Sequence, residues 1–160
     1  KLSLFVITMP VRIVICWCVL LWPVLHARAQ QFDTIKTIPA KDRGSQALDI
    51  YKHNYRHLDS TVTFAKLAEL NNIAKELHAK SLECTVLECK ADYYSVNLGF
   101  NPRSLYYCQK AINQAVAYGL TIEAGVDIFK KGMYYNTLKL QVPACQSFLK
   151  AMNSFKAVCP

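Results

Sequence analysis

Lys90-Ala91-Asp92-Tyr93-Tyr94 and Lys131-Gly132-Met133-Tyr134-Tyr135 carry the reading of this chain. Laid one over the other, their tyrosine pairs fall in register 41 residues apart, and Pro102 and Pro143 match at the same offset. Around each lies a helical pattern, a short break containing Pro and a second helical pattern, which is the signature of a stacked helical-hairpin repeat. Residues three and four apart share a helix face, so Gly132 with Tyr135, and Phe148 with Ala151, form stripes of small and bulky groups that let hairpins nest. A single stripe is what any amphipathic core helix shows. Two registered copies with matched prolines single out the repeat, and a repeat predicts an interaction surface and no catalytic centre.

The second copy continues from Gly132 and Tyr135 to Ala144, Phe148 and Ala151 on the next helix. That order and spacing resemble the tetratricopeptide repeat. The first copy supplies Ala91 and Tyr94, then Ser104, Cys108 and Ala111, the last three displaced by one residue as if its turn were one longer. An earlier, fainter copy gives Tyr51, Ser60, Phe64 and Ala68, with Leu48 at the small-residue position and its tyrosine 43 residues before Tyr94. The resemblance covers residues 46–159, and its periods exceed the roughly 34 residues usual for the family, as longer helices would make them. It implies an all-α solenoid of about three helical hairpins, packed through Ala91, Tyr94, Ala111, Gly132, Tyr135, Ala144, Phe148 and Ala151. It also implies a peptide-binding groove lined mainly by the first helix of each hairpin. Its candidates are Glu88, Asp92, Ser95 and Val96 from one repeat, and Phe129, Met133, Asn136 and Thr137 from the next. Tetratricopeptide domains that clamp a C-terminal carboxylate use Lys, Arg and Asn on this face, so the acidic Glu88 and Asp92 argue against that ligand.

Ahead of the repeats the composition changes. Arg12 precedes an unbroken apolar run over residues 13–25, followed by Ala27-Arg28-Ala29. A basic start, a short apolar core and an Ala-x-Ala site describe a secretory signal peptide over residues 1–29, cut before Gln30. Met9 is the natural initiator. The run falls short of the roughly 20 apolar residues of a membrane span, and a retained signal anchor is the alternative. Residues 30–45 are polar, with Pro39 and Gly44 and no helical periodicity, and read as a linker. The repeat domain then occupies 46–160, and an apolar face at its end, without a polar capping helix, predicts truncation there.

Within the repeats the stop and start signals place six helices. They run over residues 47–57, 60–78, 82–98, 102–119 and 122–140, with the last opening at Pro143. Asp59 and Asn101 are natural N-caps, Pro102 suits a first helical turn, and Gly99 suits a C-terminal cap. No segment shows strand-like alternation.

The remaining residue types narrow the function. With the signal removed, 16 basic residues stand against 11 acidic ones. The lysines are spread over several helices, whereas a nucleic-acid partner calls for a clustered stripe. Cys84, Cys89, Cys108, Cys145 and Cys159 survive cleavage. An exported compartment permits Cys84 or Cys89 to bridge to Cys108, and the alternative is buried free thiols standing where Ala or Ser would also pack. His53 and His57, four apart, would share a helix face, but no third ligand accompanies them. No nucleophile, base and orienting acid, phosphate-cradling loop or paired-carboxylate site can be assembled. The expectation is therefore a non-enzymatic module without cofactor or metal, binding a protein or peptide on the periplasmic or extracytoplasmic side. A signal followed at once by long-period repeats resembles the exported N-terminal regions of bacterial membrane-bound signalling proteins, whose kinase or DNA-binding output would lie beyond Pro160. A free-standing periplasmic or surface scaffold is the alternative, with a small helical thiol or metal protein behind it.

Overall fold

The computed structural model describes residues 32–158. Among the described residues the chain is all-α, with six α-helices and no strand. They are α1 (Arg43–Asn54), α2 (Ser60–Glu76), α3 (Lys80–Asn97), α4 (Pro102–Ala117), α5 (Thr121–Thr137) and α6 (Gln141–Lys156), preceded by short 3-10 turns at Asp33–Thr37 and Ala40–Asp42. None of these helices is long and apolar enough to cross a membrane. The signal segment and Cys159 lie outside the described residues.

Local chemistry sets the boundaries. Asp59 Oδ1 accepts the Thr61 N–H at 2.8 Å and starts α2. Asn101 accepts from Arg103 and Ser104 while the Ser104 hydroxyl accepts from the Asn101 N–H, a reciprocal cap that leaves Pro102 at the first helical position, where its missing N–H costs nothing. Three of the connections are one device repeated. His78, Gly119 and Lys139 take φ of 50°, 71° and 59°. The next residue, Ala79, Leu120 or Leu140, returns its N–H to the carbonyl five positions back, at 2.8, 2.9 and 2.9 Å. The same three residues then become the N-caps of α3, α5 and α6.

These turns explain the register of the repeat. Ala79 and Leu120 are 41 residues apart, matching the spacing of Tyr94 and Tyr135. The α3–α4 connection holds residues 98–101, one more than the 138–140 of the α5–α6 connection. The buried Ser104, Cys108 and Ala111 of α4 therefore stand 40 residues, not 41, before Ala144, Phe148 and Ala151. The prolines that match by offset are not equivalent in place: Pro102 opens α4, whereas Pro143 is the third residue of α6. The faint first copy is also corrected. In α2 the buried positions begin with Thr63, Leu67 and Leu70 and continue to Ile73 and Ala74, while Ser60 and Ala68 are exposed and Phe64 is half-buried. That triad lies 41 residues before Ser104, Cys108 and Ala111, so the spacing was present and the sequence match had settled on the wrong face.

From α2 onward each helix packs on its successor, whereas α1 bypasses α2 to lie on α3. Tyr51, Leu67, Leu70, Leu82 and Val86 form the core of the first half. Ala91, Cys108, Ile112, Ile128 and Ala151 tie α3, α4, α5 and α6 together in the second. The stretch expected as a loose linker joins the first of these cores. Phe32 and Ile35, three apart and so on one side of a 3-10 turn, are 3% and 0% exposed, and the Phe32 ring lies 5.1 Å from that of Tyr55. Ile38, three further on, packs against the same core; a spacing of three is not the 3.6-residue period of an α-helix, so the segment offers no α-helical pattern.

Candidate functional site

Because α1 rests on α3 and α3 touches α5, these three helices face a common cavity of about 410 Å³. Leu48 and Lys52 line it from α1, with Arg56 just beyond. Glu88, Ala91, Asp92, Ser95 and Val96 line it from α3, and Asp127, Lys130, Met133, Tyr134 and Thr137 from α5. Phe100, in the α3–α4 turn, closes one side, its ring 5.2 Å from that of Tyr134.

Of the groove residues expected from sequence, Glu88, Asp92, Ser95, Val96, Met133 and Thr137 meet here. Phe129 and Asn136 do not. Phe129 turns toward α6, where its ring lies 5.2 Å from Phe148 and lines a second, apolar hollow of about 350 Å³ with Phe148, Ala151, Met152 and Phe155. Asn136 is exposed and lines neither hollow. Phe129, Met133 and Asn136 do share the outer side of α5, with Ile128 buried opposite and Tyr135 half-buried, but that side divides between two hollows. Of the expected packing residues, Tyr135 is half-buried with its ring beside Lys131 of its own helix. A Cβ placed on Gly132 would stand 2.7 Å from the Phe148 ring. Ala91, Ala111, Ala144 and Ala151 are buried, and Tyr94 stacks on Tyr107 at 5.5 Å with ring planes 6° apart.

The cavity's charges are largely spent on one another. Arg56 grips Asp92 with two nitrogens, Nε to Oδ2 at 2.9 Å and Nη2 to Oδ1 at 2.8 Å. This fork geometry is the strong form of the arginine–carboxylate pair. Tyr51 donates a third bond to Asp92 Oδ2 at 3.2 Å, and Asn97 Nδ2 donates to the Arg56 carbonyl at 2.8 Å, which steadies the arginine backbone. Hydrogen bonding to Asp92 raises the Arg56 pKa. Lys130 Nζ lies 2.6 Å from Glu88 Oε2 and 3.6 Å from Asp127 Oδ1. Burial opposes the Lys130 charge, yet Glu88 and Asp127 outweigh it and the pKa rises. The acidic face anticipated at Glu88 and Asp92 is thus a pair of neutralised ion pairs.

Asp127 is the exception. It is 1% exposed, and its Oδ2 accepts no hydrogen bond among the described residues. Burial first, and then the neighbouring Glu88 carboxylate, push its pKa up to about 8 against the pull of Lys130. Its protonated form is therefore favoured, because two carboxylates share a single ammonium in a dry site.

The buried thiols are held in their protonated form. Burial pushes the thiols of Cys84 and Cys108 up to about 12 and that of Cys89 well above the usual range, so a thiolate, the nucleophilic form, is disfavoured at each. Cys145 is exposed on α6. His57 lies past the end of α1, so it does not share a helix face with His53, whose Nδ1 sits 2.8 Å from the Asp49 carbonyl oxygen. Among the described residues no three His, Cys, Asp or Glu side chains are grouped to hold a metal. The arrangement suits reversible binding of an apolar body with a polar tip.

Sequence reading missed Arg56, Asp127 and Lys130. One signal for Asp127 was available. Three residues from Ala124, it falls on the buried face of α5, where a carboxylate is out of place. Compared with protein-family models, with curated proteins and with solved structures, the chain matches none.

Proposed function

We propose that this chain is an exported interaction module of tetratricopeptide type, built of helix pairs, whose cavity between α1, α3 and α5 receives a segment of a partner protein. The supporting observation is the convergence of three alternate helices, α1, α3 and α5, on one cavity. Its walls combine apolar side chains such as Val96, Phe100 and Met133 with two ion pairs already formed, Arg56–Asp92 and Lys130–Glu88. Paired charges form a rigid polar frame that needs no reorganisation on binding, while Val96, Phe100 and Met133, partly exposed, offer apolar contact area. Such a segment would dock by side-chain insertion between helices, one of the recurring modes of peptide recognition. The apolar run, the Ala27-Arg28-Ala29 site and the repeats that follow favour export, with the module as the extracytoplasmic sensory part of a bacterial membrane-bound signalling protein. No reaction, cofactor or nucleic-acid partner is assigned to it.

The test is retention of partners from the exported or surface fraction by wild-type protein and by a Phe100→Ala/Met133→Ala variant of unchanged helicity. Loss of a partner supports the reading. Retention of every partner places the binding surface elsewhere.

A further inference from the structure

The surface of α4 that receives α5 recurs on α6. On α4, the Cys108 thiol donates to the Asp127 carbonyl at 3.4 Å, Ile112 joins the core of Ile128, and Ala115 joins that of Ala124. Forty residues further on, the offset already found between α4 and α6, these positions hold Phe148, Met152 and Phe155. The three line the apolar hollow of about 350 Å³, and Met152 is 43% exposed where Ile112 is 5%. Beside the hollow, Val142, Cys145, Leu149 and Met152 follow one another at spacings of three, four and three, the a/d seam by which one helix takes another. All four are exposed, while Ala144 and Ala151, on the opposite side of α6, are buried where it packs on α5. Around the seam the charge has one sign. Asp127 is the last acidic residue of the sequence, and Lys130, Lys131, Lys139, Lys150 and Lys156 follow it.

We propose that α6 docks an acidic amphipathic helix of a partner polypeptide, seated much as α5 is on α4. Its apolar seam lies on Val142, Leu149 and Met152, one of its side chains enters the hollow between Phe148 and Phe155, and its glutamates or aspartates face Lys150 and Lys156. This surface is separate from the α1–α3–α5 cavity and does not depend on it. Seam and charge together select the occupant. The exposed apolar stripe is narrow, because Gln146 and Asn153 are exposed on the same side of α6, whereas a helix lying in a bilayer turns a broad apolar face to the lipid. A second copy of the chain would set lysine against lysine, since α6 has no acidic side chain to answer Lys150 and Lys156, and like charges across an interface are costly.

Two blocked peptides test this by calorimetry on the whole chain: three repeats of Glu-Ile-Ala-Ala-Leu-Glu-Glu, and the counterpart with lysine in place of every glutamate. The acidic peptide should bind at least about tenfold tighter than the basic one. Leu149→Gln should weaken it by about tenfold or more, and Lys150→Gln/Lys156→Gln should bring the two peptides to within about threefold of each other. All three positions are exposed, so the variants should keep wild-type helicity, and Val62→Gln, at an exposed site on α2, should bind as wild type does. Equal affinity for the two peptides overturns the acidic partner. Unchanged binding by Leu149→Gln, or binding of neither peptide, overturns the site. A dimer in sedimentation that Leu149→Gln dissolves would identify a second copy as the occupant and overturn the partner helix. Retention on phosphatidylglycerol vesicles, lost in the same variant, would overturn it in favour of a lipid surface. The Phe100→Ala/Met133→Ala variant should bind the acidic peptide undiminished. Loss of binding there would put the peptide in the cavity, overturning the α6 site and leaving the groove reading standing.

Discussion

At the scale of single residues, the two positions with the largest consequences are both on α5. Gly132 sits against the Phe148 ring, and a Cβ there would approach to 2.7 Å. Replacing it by Leu should cost about 1–3 kcal/mol or more, because the ring must leave its place between helices. The same change at the exposed Asn153 should cost little, and thermal melting of the two variants measures the difference. Asp127 makes stability depend on pH. Its folded pKa of about 8 lies above the roughly 3.9 of an unfolded aspartate, so the folded state binds the extra proton. The stabilisation is fully present below about pH 4 and is lost as pH rises toward 8, at up to about 1.4 kcal/mol per pH unit. Denaturant midpoints from pH 5 to pH 8 should therefore fall for wild type and run flatter for Asp127→Asn; parallel curves would mean that Asp127 is charged throughout. Gly132 was legible because a small residue repeating at helical spacing is a local pattern. The partners of Arg56 and Lys130 were not, because Asp92 and Glu88 lie 36 and 42 residues away in sequence, and nothing local says which helix faces which.

At the scale of elements, helix starts with a chemical cap were readable, and helix ends were placed only to within three residues. Asp59, Asn101, Gly99 and Gly119 announce themselves through side chains that cap or through freedom at positive φ. His78 and Lys139 adopt the same left-handed conformation with a Cβ in place, held there by the turn's hydrogen bonds. The helices that end there were read two or three residues too long, as was the one before Gly119 by two. Strain at these two sites predicts that Lys139→Gly raises stability by about 0.5–1 kcal/mol while Gly119→Ala lowers it by a similar amount or more. Chemical denaturation resolves changes of that size, and a loss of stability in Lys139→Gly would contradict the assignment. Helix burial also sorts the thiols. Cys145, exposed on α6, should react with a maleimide within minutes, whereas Cys84, Cys89 and Cys108 should stay protected until the chain is unfolded. Mass spectrometry of peptides after timed labelling checks this, and early modification of Cys108 would show that α4 and α5 separate readily.

At the scale of the molecule, a 41-residue offset read from two tyrosine pairs led to the all-α architecture, and the same offset recurs in the turns that open α3 and α5. What the offset could not reveal is that α1 leaves its own partner to lie on α3. That displacement brings Leu48, Lys52 and Arg56 to the cavity and turns a groove between two helices into one walled by three. The proposed function stands on that cavity, and α5 offers a way to interrogate it, because Met133 lines it while Phe129, four residues earlier, faces the α6 hollow instead. The most direct measurement is photo-crosslinking in the native cell from p-benzoylphenylalanine placed at Met133 or, separately, at Phe129. The account predicts a discrete partner adduct from Met133 and none of that mass from Phe129. An adduct from Phe129 alone would contradict it and move the binding surface to the far side of α5.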